Sequence, residues 1–243
     1  MHRDDSARIR LRHVSKSFER KFQIWSGRKS CEHRQVLSDI SLDVGQGDIV
    51  TIVGKNGSGK TTLTRILSTL VTPERGEAIV CGFDVVREPR QVRKRIGVLL
   101  NAGMGGFHAR LSGKENLEYY GALYQIPQKE AGERIKALLA DLELQDRGAD
   151  QFQSYSTGMR RRLALARALL PNAPVVLLDE PTLGVDPWST EQVHKLLLGL
   201  VSEGKTIFCT TNNMSEAKTL GKHVFLLDEG KLSPISQSEV MAS

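Results

Sequence analysis

Short apolar runs separated by polar turns dominate the chain, and their periods divide it into strands and helices. Ile9–Val14 alternates basic and apolar side chains, the period-2 pattern of a half-exposed strand. Val36–Val44 alternates in the same way and ends on the turn Gly45-Gln46-Gly47-Asp48. Residues 19–35 between them are polar and basic and read as an insertion between two strands. Ile49–Val53 is continuously apolar, as expected of a strand covered on both faces of a parallel sheet. Ile79–Cys81, Ile96–Leu100, Val175–Leu178 and Thr206–Thr210 are further short strands, with another starting at His223. Thr61–Leu70 has helical spacing, and residues from about 101 to 170 are mainly helical, with apolar positions in Asn116–Tyr124, Ala131–Leu144 and Met159–Leu170. Strands before and after a helical block predict an α/β core with a helical insert. The sequence shows no internal repeat, so residues 1–243 are read as one domain.

Composition narrows the function classes. An aromatic content of 5% argues against stacking platforms for single-stranded nucleic acid. No stretch approaches the roughly 18 uninterrupted apolar residues of a membrane-spanning helix. The N-terminal MHRDDSARIRLRH has no apolar core of the secretory kind. Cys31, Cys81 and Cys209 are odd in number and form no CxxC pair, which predicts a reducing compartment and no structural zinc. The expectation is a soluble, intracellular protein that meets a membrane only through a partner. Residues 1–35 hold ten Lys and Arg against four Asp and Glu, so the net charge of +6 sits there and the remainder sums to zero. Such a stretch can meet nucleic acid or an anionic membrane surface, or form a solvated edge.

Chemistry enters with Gly54-Lys55-Asn56-Gly57-Ser58-Gly59-Lys60-Thr61-Thr62, which fits the pattern G-x-x-x-x-G-K-[ST] between a strand and a helix. Glycines let backbone N–H groups turn inward around phosphate oxygens, and the helix that follows adds its N-terminal dipole. Lys60 would place a point charge between the β- and γ-phosphates of ATP, and Thr61 would offer a hydroxyl to Mg²⁺. The apolar run Val175–Leu178 ends in Asp179-Glu180. At the C-terminal edge of a parallel strand, beside such a loop, Asp179 is placed to hold Mg²⁺ and Glu180 to orient and deprotonate an attacking water.

The segment between these motifs identifies a family. Tyr155-Ser156-Thr157-Gly158-Met159-Arg160, followed by Arg161–Ala168, resembles the signature of ATP-binding cassette (ABC) transporters, in the YSxGM form of ABC-2-type exporters, and it lies 20 to 25 residues before Asp179. The resemblance covers nearly the whole chain. It implies a P-loop NTPase cassette: a mostly parallel core sheet, an N-terminal antiparallel β subdomain and an α-helical subdomain at about 101–170. Pro73–Glu77 and GFDVVREPRQVRKRIGVLL resemble the daunorubicin- and sodium-exporter branch, while the YSxGM form and the 19–35 insertion resemble polysaccharide and teichoic-acid exporters. By resemblance, Phe18 stacks on adenine, Gly54, Asn56–Lys60, Thr61 and Thr62 bind the phosphates, Ser156 and Gly158 close on the ATP of a second nucleotide-binding subunit, and Asp186 belongs to a loop crossing that interface. LSGKENLEYYGALY resembles the helical region near the groove for a multi-span membrane subunit.

Two family side chains differ here. The glutamine expected after IGVLL is Asn101, one methylene shorter, at a position that reaches Mg²⁺ or the attacking water. The histidine expected after TIFCTT is Asn212, followed by Asn213. Neutral asparagine can hydrogen-bond to a γ-phosphate oxygen but carries no positive charge. The reading is an ABC-type ATPase at the cytoplasmic face of the cell membrane, acting in export, with hydrolysis slowed by the two asparagines. It acts with no nucleic acid. The alternatives are a nucleotide-gated regulator with weak hydrolysis and a soluble relative acting on ribosomes or nucleic acid.

Overall fold

The computed structural model describes residues 7–23, 29–100 and 105–235. Strands β1 (Ala7–Gln23), β2 (Lys29–Gly45), β4 (Arg75–Val80) and β5 (Phe83–Asp84) form an antiparallel sheet in the order β2-β1-β4-β5. A second sheet contains β3 (Ile49–Val53), β6 (Ile96–Leu99), β7 (Val175–Asp179), β8 (Thr206–Thr211), β9 (His223–Asp228) and β10 (Lys231–Pro234), in the order β10-β9-β3-β8-β7-β6. Its strands are parallel except β10, which runs antiparallel to β9. The expected α/β class with a mostly parallel sheet and an N-terminal antiparallel one is therefore observed.

Seven helices among the described residues connect the strands: α1 (Lys60–Leu67), α2 (Pro89–Arg93), α3 (Gly113–Leu123), α4 (Gln128–Asp141), α5 (Thr157–Leu169), α6 (Pro187–Ser202) and α7 (Met214–Leu220). Helices α3 to α5 lie between β6 and β7, the stretch expected to be helical. Helix α3 opens on a capping box: Glu115 N donates to Ser112 Oγ at 3.1 Å, and Ser112 N donates to Glu115 Oε2 at 2.7 Å. Among the described residues no helix is long and apolar enough to cross a membrane.

The continuously apolar strands are explained by two cores on opposite faces of one sheet. Ile49 of β3, Val176 and Leu178 of β7, and Ile207 and Cys209 of β8 join the core under α3 to α6. Val50, Ile52, Val175, Leu177 and Phe208, one residue out of step, join the core shared with α1 and the antiparallel sheet. Cys209 is fully buried there, and burial pushes its thiol well above the ordinary value.

One expectation needs correcting. Residues 19–35 are not simply an insertion between two shorter strands, because β1 extends to Gln23 and β2 starts at Lys29, and the two pair as an antiparallel ribbon from Glu19–His33 to Gln23–Lys29. The segment is mainly polar and basic, so the sustained apolar alternation that reports a strand is missing from it. Where the ribbon meets the body of the sheet, Lys16 opposes Leu37 but Ser17 opposes Gln35, which makes Val36 a bulged residue.

Candidate active site

The phosphate loop lies between β3 and α1 and leaves Lys60 buried at the first position of the helix. Lys60 Nζ donates to the carbonyls of Gly54 at 2.6 Å and Lys55 at 3.2 Å, so the loop wraps its own cation. Gly59 adopts φ +114°, and a Cβ there would stand 2.8 Å from the Val36 carbonyl, so only glycine lets the loop pass so close to β2. The Ser58 hydroxyl is buried and has no hydrogen-bond partner among the described residues. A wrapped lysine, an orphaned hydroxyl and an exposed Gly57 make a cradle suited to phosphate oxygens. Val36, Asn56, Gly57, Gly59, Lys60, Thr61, Thr62 and Glu180 line the resulting cleft.

The two carboxylates arrive at the C-terminal end of β7. Asp179 is fully buried and accepts from Thr61 Oγ1 at 2.9 Å and from Thr210 Oγ1 at 2.6 Å. These oxygens would suit Mg²⁺, a hard cation commonly held by one or two protein oxygens together with substrate phosphates. Among the described residues no cluster of three His, Cys, Asp or Glu side chains offers an all-protein metal cage. Glu180 sits next in the chain at φ +56°, left-handed for a non-glycine residue and costing about 1 kcal/mol or more. Its Oε1 is 3.6 Å from Lys60 Nζ, and its Oε2 accepts from the backbone N–H of Asn212 at 3.1 Å. Burial raises the Glu180 pKa, while the Asn212 N–H and the charge of Lys60 work against the rise. A carboxyl group shifted upward in this way is a stronger base than a free glutamate.

Asn212 thus stands beside Glu180 at the end of β8, and the two asparagines divide their work. Asn213 is the N-cap of α7, its Oδ1 accepting from Ser215 N at 2.9 Å. The Asn212 side chain is exposed at the mouth of the site. Asn101 lies outside the described residues.

The other predicted groups lie elsewhere. Ser156 caps α5, its Oγ accepting from Met159 N at 3.2 Å, and Gly158 packs so tightly that a Cβ would be 3.3 Å from the Gly184 carbonyl. Asp186 caps α6 and accepts from Ser189 N at 3.0 Å; that bond, first among its causes, lowers its pKa. Neither Ser156, Gly158 nor Asp186 lines the cleft around the phosphate loop. Phe18 is 41% exposed on β1, with Lys16 Nζ 5.3 Å from its ring centre.

Arg161 was not singled out by the sequence. It is 2% exposed on α5 and donates to the carbonyls of Asp179 and Glu180 through Nη2, and to Pro181 through Nε at 3.4 Å. Burial lowers its pKa, and the charges of Asp179 and Glu180 oppose that shift. The arginine therefore clamps the turn that carries Glu180 to the helix that begins at Ser156. The signal was present: Arg161 shares the i, i+3, i+4, i+7 face with buried Ala164, Leu165 and Ala168.

Comparison with known proteins decides the family. The sequence profile described as ABC transporter matches residues 37–183. The chain belongs to the ABC transporter family. This ABC cassette is 40% identical over 198 residues to the daunorubicin resistance ATP-binding protein DrrA2 of Streptomyces coeruleorubidus, a match covering 82% of the cassette and 61% of that protein. It is 36% identical to the ABC transporter ATP-binding protein NatA of Bacillus subtilis (strain 168), covering 82% of the cassette and 80% of NatA. These relatives place it in the ABC-2-type exporter branch of the ABC ATPases. The ATP-binding cassette MJ0796, solved as a post-hydrolysis dimer bound to ADP and Pi, aligns with a TM-score of 0.80 at 26% identity, covering 94% of the cassette and 99% of that chain.

Proposed function

We propose that the chain is the ATP-hydrolysing subunit of an exporter, working as a dimer of cassettes on the cytoplasmic face of the cell membrane beneath a separate multi-span partner. The observation that carries this is the convergence of Lys60, Thr61, Asp179 and Glu180 at one cleft, from the start of α1 and the end of β7. In this reading residues 1–243 act as one cassette, with residues about 101–170 as its helical subdomain.

Each residue has a task set by its surroundings. Asn56, the loop N–H groups of Gly57–Thr62 and the buried ammonium of Lys60 take the phosphates of ATP, and Phe18 offers its face to the adenine. Thr61 and Asp179 would hold Mg²⁺, and Asn101 is an expected further ligand. When bound, Mg²⁺ neutralises phosphate charge and orients the terminal phosphate. Glu180 orients the attacking water and takes its proton at a carboxylate oxygen, helped by its raised pKa. Asn212 presents an amide donor to the terminal phosphate, without the charge a histidine could supply. Ser156, Gly158 and Asp186 lie away from this cleft, and in the proposed dimer they complete the site of the second cassette.

The test is to purify the chain from membranes, to identify any multi-span protein that comes with it, and to follow ATP hydrolysis. Co-purification with ATP turnover that needs Glu180 is the expected result. Recovery with ribosomes or DNA, or absence of ATP binding, would overturn the proposal. Asn212 favours a second reading, a nucleotide-gated regulator. Single-turnover measurements separate the two, because a regulator would retain ATP through many minutes of incubation.

A further inference from the structure

Arg34 sits where neither the phosphate-loop pattern nor the family signature would direct attention. It lies on β2 directly across from Phe18 of β1, so the two side chains leave the same face of the ribbon. Its Nη2 is 3.8 Å from the position a Cβ would occupy on Gly57, in the middle of the phosphate loop. The approach is built into the strand: the bulge at Val36 turns β2 toward the loop, and Val36 itself lines the cleft with Asn56, Gly57 and Lys60. The Arg34 side chain is exposed, and among the described residues no carboxylate is ion-paired with it.

Two cations therefore attend the loop by different routes. Lys60 acts from within, buried and tied to the carbonyls of Gly54 and Lys55. Arg34 reaches over the loop from the β-ribbon. A guanidinium presents a planar fork of donors that matches phosphate oxygens, and its charge does not titrate away. With a base on the Phe18 ring and phosphates in the loop, the phosphate chain would run past the Arg34 fork.

We infer that Arg34 is a nucleotide-binding residue, gripping the phosphate chain of a nucleoside di- or triphosphate from the ribbon side. The inference rests on the reading of the loop as a nucleotide site. It gives the polar ribbon a purpose, since this paired segment holds Phe18 and Arg34 on one face and sets Arg34 against the loop.

Equilibrium binding of fluorescent ATP and ADP to the full chain tests it, using wild type, R34Q and R34K, with K60Q as the control that loses binding. R34Q is expected to weaken both nucleotides about 10-fold, equivalent to about 1.4 kcal/mol. R34K is expected to recover part of this, and the gap should narrow as salt is raised. Because Arg34 is exposed, the nucleotide-free melting temperature of R34Q should equal that of wild type. Unchanged affinity in R34Q, beside a wild type that binds ATP, would overturn the inference and leave the proposed function standing. A loss of affinity that tracks a lowered melting temperature would overturn it in favour of a structural role. A wild type that binds neither nucleotide would overturn the proposed function itself.

Discussion

At the ends of β3 and β7 the charged groups are buried and held by other parts of the same chain: Lys60 by loop carbonyls, Asp179 by two threonine hydroxyls, and Glu180 by a backbone N–H and an ammonium. At the starts of α5 and α6 the polar groups are exposed or half-exposed, and they are satisfied by the helices they cap, as with Ser156 and Asp186. The first region is preorganised by a single chain, because a buried polar group without a partner costs about 1–3 kcal/mol. The second can exchange its local bonds for those of a ligand at little cost, since water already competes for them. In the proposed dimer, one cassette would thus offer a preorganised region at the phosphate loop and a second region suited to docking. Arg161 joins them, rooted in the helix that Ser156 starts and clamped on the turn of Glu180.

That contrast can be broken experimentally. The largest effect is expected from E180Q, which should lower kcat by about 10³-fold while leaving ATP binding intact. The same variant tests the electrostatics. Burial raises the Glu180 pKa, so the native state holds its proton more tightly than the unfolded chain does. The corresponding stability is fully present below the ordinary carboxylate pKa and is lost as pH rises through the raised value. Urea midpoints should therefore fall less for E180Q than for wild type between about pH 4 and pH 8. An equal fall would mean that Glu180 titrates as an ordinary surface carboxylate.

R161M keeps much of the side-chain volume but strips donors from buried carbonyls, and should cost about 3 kcal/mol in urea unfolding. A cost below about 1 kcal/mol would remove Arg161 as the link between the regions. N212H should raise kcat about 10-fold by restoring a side chain that can carry charge at the terminal phosphate. Unchanged turnover would show that the asparagine is not what limits hydrolysis. S156A should have the smallest effect on the isolated chain, about 1 kcal/mol of stability for the lost cap, and a larger one on nucleotide-driven dimerisation measured by light scattering. Equal loss in both assays would assign Ser156 to the helix alone.

Legibility in the sequence follows the same division. The phosphate loop and the Asp179-Glu180 pair were readable because local pattern alone dictates them: glycines, a lysine and a strand end in fixed order. The alternating cores of β7 and β8 could not be separated beforehand, since Val175–Leu178 is apolar at every position and only the fold assigns each residue a side. Arg161 was hidden in a run of three arginines whose neighbours also find partners, Arg160 at the Gln153 carbonyl and Arg162 at Glu143, so the sequence does not mark which one is buried. Asn213 could have been read as a cap from Asn213-Met214-Ser215-Glu216, a polar residue with glutamate three positions on. The ribbon was misread because its sequence is mainly polar and so carries no sustained period-2 alternation.

The complete burial of Cys209 makes it a reporter. Its thiol lies in β8 one residue before Thr210, which holds Asp179, and burial keeps it protonated as well as covered. A thiol-alkylating reagent needs both access and a thiolate, so labelling at this position reads the opening of the strand beside Asp179 and Glu180. Nucleotide that tightens the site should slow that labelling, making one cysteine a clock for how often the preorganised region comes apart.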